Sequence, residues 1–380
     1  MSRYALQAVL LSLLSTVSVA AQEKAIWSMG SSDGSSADAM FGDSQIKILR
    51  PVFENPLIKM QDAPDPWIVY HAGFYYFTAT LDPDGGIWLW KTRTLASLDS
   101  AEKTKVYTSP ATGARGKQIW APELHRIGER WYIYYTASDG TDENHRTYVL
   151  ESRDADPLSP YTLKARIFDP ANDGWALDPS VFRAADGKLY FLWVGHVAGN
   201  GNGIYIAPMS NPWTLAGSRV LIAEANHAWE RVRYPINEGP EILQRGGRTF
   251  LVYSASDTGT PDYALGLLTH TGGDFLDPAS WVKSPEPVFK MYAGADGNVF
   301  GPGHNGFFKS PDGTEDWIIY HGKETRAYTY AGRTTRAQKF SWNPDGTPNF
   351  GRPIPRGVLQ RTPSGEGVVG RKLIRRGGKG

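Results

Sequence analysis

Five segments of this chain carry a proline followed by a Gly-containing turn and an apolar strand, and their spacing constrains the fold more than any other feature. They are DPWIVYHAGFYYFTAT, APELHRIGERWYIYYTAS, DPSVFRAADGKLYFLWVGH, GPEILQRGGRTFLVYSAS and GPGHNGFFKSPDGTEDWIIYHGK, aligned on Pro66, Pro122, Pro179, Pro240 and Pro302. The intervals between these prolines are 56, 57, 61 and 62 residues. Glycines at 73, 128, 187, 246 and 313 mark the turns. Each unit has room for about four strands and cannot cover both of its faces alone, so the units must pack on one another. Five such units arranged radially predict an all-β chain folded as a five-bladed β-propeller. A long sandwich is the alternative, but near-even repeats fit a radial array better. Each proline is expected at the opening of a strand, where its missing N–H does least harm to the ladder.

The rest of the chain agrees with an all-β reading. Gly (41) and Pro (26) are abundant, and no long amphipathic helix interrupts the short alternating runs. Hydrophobic residues make up 41% of the 380, enough for a sizeable core. There is no cysteine, so neither disulfides nor thiolate metal sites contribute. Lysine plus arginine (40) nearly cancels aspartate plus glutamate (39). That balance excludes a strong nucleic-acid footprint and a strong pull to anionic membranes, and favours a neutral partner.

The domain organisation reads in four parts. Residues 1–21, MSRYALQAVLLSLLSTVSVAA, have the basic start, apolar run and small-residue end of a secretory signal peptide. The protein is therefore expected to be secreted and extracellular. Residues 22–45, rich in Ser, Gly and Asp, read as a flexible lead. Residues 46–360 form the propeller, and residues 361–380 a basic, disordered tail. A monomer is expected.

In a propeller the innermost strand of each blade lines a central channel. Residues flanking the repeat prolines then converge on one axis. These are Asp65, Asp178, Glu238 and Glu241, with Glu123 after the second proline and His304 after the fifth. A single Asp-Pro is usually a turn or strand cap. Several carboxylates around one rim repel each other, and burial raises the pKa of at least one, a cost usually kept for function. Carboxyls of unlike pKa suit glycoside hydrolysis, in which one activates water and the other protonates the leaving oxygen.

The stretches APDPWIVYHAGFYYFTAT, IWAPELHRIGERWYIYYTAS, LDPSVF, NEGPEIL, GPGHNGFF and GRTTRAQ, in this order from about Asp62 to about Lys339, resemble glycoside hydrolase family 43. That family consists of five-bladed propellers acting on arabinose- and xylose-containing polysaccharides by an inverting mechanism. The resemblance implies Asp65 as general base, Asp178 as the residue that tunes the acid and orients substrate, and Glu238 as general acid. It implies that Arg333 reaches substrate hydroxyls, with a surface ion pair as the alternative and Arg336 as the neighbour with which it is confused. His304 is expected near the channel centre, contacting a structural calcium through water; a metal-free, water-filled centre is the alternative, and no cofactor is required. Trp120 and Trp67 are candidates for a sugar-stacking face, or else inter-blade core. Within the family, NEGPEIL, NPWTL, SASDTGTPDYALGLLT and LDPASWVKSPEPVFK resemble the α-L-arabinofuranosidase branch, which implies exo removal of terminal arabinofuranose from arabinan or arabino-oligosaccharides. β-Xylosidase, endo-arabinanase, a non-catalytic carbohydrate-binding propeller and a protein scaffold remain open.

Overall fold

The computed structural model describes residues 50–81 and 85–366. The expected signal peptide and flexible lead lie outside the described residues, as do the last residues of the expected tail.

The second strand of each repeat explains the architecture. In WYIYYTAS, Trp131, Ile133 and Tyr135 face one seam while Tyr132 and Tyr134 face the next. In DWIIYHG, Trp317 and Ile319 face one seam, and Ile318 and Tyr320 the other. Successive strand residues point to opposite faces, so a strand apolar at every position must be buried on both. Each blade is therefore sandwiched between two neighbours, and five apolar clusters fill the five seams. Truncating a fully buried ring such as Trp131 is expected to cost about 3–5 kcal/mol.

Five antiparallel sheets result. Blade one runs from Trp67–His71 out to Lys103–Thr108, and blade two from Lys117–Ile127 to Tyr161–Ile167. Blade three starts with Ala176–Arg183 and places both Thr214–Leu215 and Val220–Glu224 on its third strand. Blade four runs from Asn237–Arg245 to Trp281–Lys283. Blade five starts with Gly297–Lys309, carrying a short extra strand, Tyr292–Gly294, on its inner side. The five long inner strands touch in sequence, and the fifth touches the first, closing a ring around one channel.

Closure has its own fastening. The residues before blade one lie along blade five: Leu57 N–H donates to Thr335 at 2.8 Å, and the Asn55 amide exchanges hydrogen bonds with the Ala337 backbone. Val52–Phe53 pairs with Gln360–Arg361. The tail expected from residue 361 thus begins later: Thr362 and Glu366 are buried, and Glu366 accepts from Leu95 N–H at 3.2 Å.

Only Pro66 sits where a strand opens, just before Trp67. In blades two to five the strand runs through the Gly-Pro, Ala-Pro or Asp-Pro pair. Leu177 pairs with Val194, but Ser180 pairs with Leu192, so Asp178 and Pro179 together face one residue. The same β-bulge occurs at Ala121–Pro122 and Gly239–Pro240. The second bulge residue is out of the ladder, which is why proline is tolerated there. In blade five the equivalent pair is His304–Asn305, because Gly303 pairs with His321 and Gly306 with Ile319. The fifth repeat is therefore aligned on Asn305 rather than on Pro302.

Candidate active site

The bulge explains why a charge stands at the mouth of a strand that is otherwise core. Its first residue has a left-handed backbone in every blade: φ is 55° at Asp65, 45° at Ala121, 48° at Asp178, 54° at Gly239 and 48° at His304. Four of these are not glycine, and each costs about 1–3 kcal/mol, strain of the kind that persists at functional sites. Two consecutive side chains of one strand then reach the same end of the channel.

The bulge also pulls one N–H out of its own ladder, and the preceding blade satisfies it. Ala121 donates to Thr80 Oγ1 at 2.8 Å, Asp178 to Thr136 Oγ1 at 3.1 Å, His304 to Ser254 Oγ at 2.7 Å and Asp65 to His321 Nδ1 at 3.3 Å. These acceptors occupy one position, the polar end of each repeat's apolar strand. In blade three that position is Val194, which cannot accept, and Gly239 N–H is bound instead by the Asp178 carboxylate at 3.0 Å. Gly239 also packs against His304; a Cβ there would lie 3.3 Å from the imidazole.

These residues border one cavity of about 660 Å³ at the hub. Asp65, Asp178, Glu238, His304, Arg333 and Trp120 all line it. Trp67, also singled out in the sequence, does not. It lies just past its bulge, in the seam between blades one and two, donating from its indole N–H to Leu124 O at 2.8 Å and stacking near His125. Gly306 makes room for it, since a Cβ there would meet the indole at 3.1 Å. Its stacking role on sugar is therefore corrected to inter-blade packing. Arg336 is fully buried on Glu324, away from the cavity, whereas Arg333 Nη1 lies 3.9 Å from Asp65.

The carboxyls are treated unequally. Burial alone would raise the pKa of Asp65, but His304, with Nδ1 at 3.2 Å, and Arg333 outweigh it and hold the group well below the usual carboxylate range. Its Oδ2 accepts from Thr80 at 2.7 Å. Glu238 is pushed the other way, up to about 8, by burial first and then by the charge of Asp178. Its Oε1 accepts from Tyr263 OH at 2.7 Å. Burial also raises Asp178. His304 is raised because the surrounding carboxylates outweigh its desolvation, and burial lowers His321 to about 4.

One step further along the inner strands lie Glu123, Ser180 and Glu241, none of which lines the cavity. Glu123 is 2.7 Å from His125 Nε2, and Glu241 is hydrogen-bonded to Glu123 and Ser180. Burial, then Glu123, raises Glu241 well above the ordinary range.

Calcium takes six to eight oxygen ligands. His304 offers a nitrogen, has its pKa raised by the surrounding carboxylates, and is turned toward Asp65. Among the described residues, no group of three or more His, Asp or Glu side chains is arranged to hold a metal. These residues do not make a direct calcium site, and no step below is routed through one. Thr80, Tyr263 and His321 were not singled out in the sequence. Thr80 and His321 carried a signal, the recurrent polar end of an apolar strand; Tyr263 carried none.

A family model described as glycosyl hydrolases family 43 matches residues 53–348. The chain belongs to glycosyl hydrolases family 43. It is 41% identical over 303 residues to an α-L-arabinofuranosidase 43 from Humicola insolens, covering 77% of this chain and 62% of that protein. It is likewise 41% identical over 317 residues to an extracellular exo-α-(1→5)-L-arabinofuranosidase from Streptomyces avermitilis, covering 80% and 64%. The chain thus spans somewhat less than two thirds of each of these two relatives. Among solved structures, an α-L-arabinofuranosidase from Lactobacillus brevis superposes with a TM-score of 0.75 at 39% identity, covering 80% of this chain and 98% of that one. The propeller of this family 43 member is therefore shared with relatives whose printed names concern arabinofuranosides.

Proposed function

We propose that this family 43 protein is a secreted, inverting, exo-acting α-L-arabinofuranosidase that releases terminal arabinofuranose from arabinan or arabino-oligosaccharides. One observation carries the reading: two carboxyls in one cavity are driven to opposite protonation states, Asp65 ionised and Glu238 protonated near neutral pH. Such a divergence assigns base and acid.

Asp65 takes a proton from water as the water oxygen bonds to the anomeric carbon. Glu238 gives its proton to the glycosidic oxygen as the bond from that oxygen to the anomeric carbon breaks. Asp178 is tied to Gly239 N–H, next to the acid, and its charge helps to keep Glu238 protonated. Arg333 donates to sugar hydroxyls beside Asp65, and Trp120 offers its ring to the sugar. The charge of His304 favours the ionised form of Asp65, and the His304 backbone N–H is fixed by Ser254. The arabinofuranosidase names of the similar proteins support the substrate, and the word extracellular in one of them, together with residues 1–21, supports secretion.

Product analysis on linear arabinan, debranched arabinan, arabinoxylan and xylo-oligosaccharides, run side by side, tests this reading. Arabinose as the sole early product from arabinan is expected. Release of xylose, or of mixed arabino-oligosaccharides, overturns it in favour of a β-xylosidase or an endo-arabinanase.

A further inference from the structure

Beside the cavity mouth stands a group of aromatic rings that core packing does not explain. Tyr234, Tyr328 and Tyr330 are 50%, 44% and 51% exposed. They come from two loops far apart in sequence, one leading into blade four and one within blade five. Tyr330 also lines the cavity.

A buried carboxylate holds them in place. Asp257, 2% exposed, comes from a third loop, after the second strand of blade four. Its Oδ2 accepts from Tyr328 OH at 3.1 Å and Tyr330 OH at 3.3 Å, and lies 3.2 Å from Arg233 Nε. Its Oδ1 accepts from Gly259 N–H at 2.7 Å. The Arg233 guanidinium covers one face of Tyr328, 4.0 Å from the ring centroid, and reaches toward Tyr234 at 5.4 Å. The Tyr328 and Tyr330 hydroxyl oxygens also lie 2.8 Å apart. Arg233 and Ser256 both adopt a left-handed backbone, with φ of 71° and 73°. Three loops thus converge, with strain at two of them, to fix exposed rings and one guanidinium in a single arrangement that continues the cavity wall outward.

We propose that this shelf is a binding site for the sugar residues that remain attached beyond the cleaved bond. Its ligand class is an α-linked arabinofuranose oligosaccharide, so the inference rests on the function proposed above. Rings that are apolar on the face and polar at the rim suit sugar C–H faces and hydroxyls. The Arg233 charge is compensated by Asp257, which suits a neutral ligand. Tyr330 borders the residue next to the bond, and Tyr328 the one after it.

The test compares kcat/KM for linear arabinotriose with that for 4-nitrophenyl α-L-arabinofuranoside, whose leaving group ends before Tyr328. In Tyr328→Ala the ratio of arabinotriose to nitrophenyl values is expected to fall about three- to tenfold, mainly through KM. In Tyr328→Phe, which keeps the ring, most of the ratio is expected to return. Tyr234→Ala serves as a second variant on a different loop and is expected to lower the same ratio. An unchanged ratio in both alanine variants overturns the shelf. If the wild type hydrolyses neither substrate, the proposed activity fails, and calorimetric titration of arabinotriose into wild type and Tyr328→Ala then decides the shelf: weaker binding in the variant supports it, and equal or absent binding overturns it.

Discussion

Two layers of acidic residues follow one another along the inner strands, and they behave differently. The layer at the bulges holds Asp65, Asp178 and Glu238 with His304; the next holds Glu123 and Glu241 with Ser180 and His125. Composition barely separates them. Access and partners do. At the bulges each carboxyl faces a cavity and has its own partners: cations for Asp65, a backbone N–H for Asp178, a tyrosine for Glu238. In the next layer Glu123 and Glu241 have each other, off the cavity, and burial with the Glu123 charge raises the pKa of Glu241. A cluster of acids becomes a machine for proton transfer when the backbone turns it toward a substrate and divides its protons. The same residue types in regular ladder positions make a buried hydrogen-bonded pair.

The contrast breaks most visibly at the bulges. Asp65→Asn and Glu238→Gln are each expected to lower kcat by about 10²–10⁴-fold. For Glu238→Gln the loss should be large with alkyl leaving groups and small with dinitrophenyl arabinofuranoside, which needs no protonation. Steady-state kinetics on both substrates check this, and equal losses would remove Glu238 from the acid role.

A finer change sharpens the division of protons within that layer. The proposed acid works only while protonated, so activity is expected to fall as pH rises through the pKa of Glu238, near 8. Asp178→Asn removes a charge that raises this pKa, and the alkaline limb of kcat/KM is expected to move to lower pH. A limb that stays in place would deny Asp178 its tuning role.

The next layer predicts the opposite pattern. Glu241→Gln should leave kcat within about threefold, since an amide mimics a protonated carboxyl and this layer takes no part in proton transfer. Its stability effect has a definite sign. The folded pKa of Glu241 is raised, so its stabilising contribution is fully present below the unfolded value and is lost as pH rises. The thermal midpoint of Glu241→Gln is expected to gain on the wild type as pH rises above the ordinary glutamate value of about 4. A difference that does not change with pH would contradict the raised pKa of Glu241.

The smallest effect is expected at Val194, the exception among the five acceptor positions. Val194→Thr supplies the hydroxyl that Thr80 and Thr136 supply elsewhere, and offers Gly239 N–H a second acceptor. It should cost about 1 kcal/mol of stability or less, with a modest loss of kcat as Asp178 is released. Thermal melts and kinetics together check it; an unchanged kcat would mean that the bond from Gly239 to Asp178 does not position the carboxylate.

Much of this was legible in the chain. The repeats announce the blades because an all-apolar second strand has only one way to be satisfied, burial on both faces. The acids are legible because Asp-Pro and Glu-Gly-Pro mark the bulges. The register of the fifth repeat was not, because a bulge requires a residue with positive φ and an unpaired successor, and His304–Asn305 meets that without a proline. Trp67 misled because its direction depends on a one-residue slip between strands that spacing does not encode. The shelf at Tyr328 is not legible in the sequence because it is assembled from three loops without a repeat signature.

The proposed reaction is a single displacement in which Asp65 and Glu238 act at once on opposite sides of the anomeric carbon. Proton NMR of the first sugar released from an α-arabinofuranoside, followed before mutarotation, tests it directly. β-Arabinofuranose is expected as the initial product; α-arabinofuranose appearing first would rule out inversion.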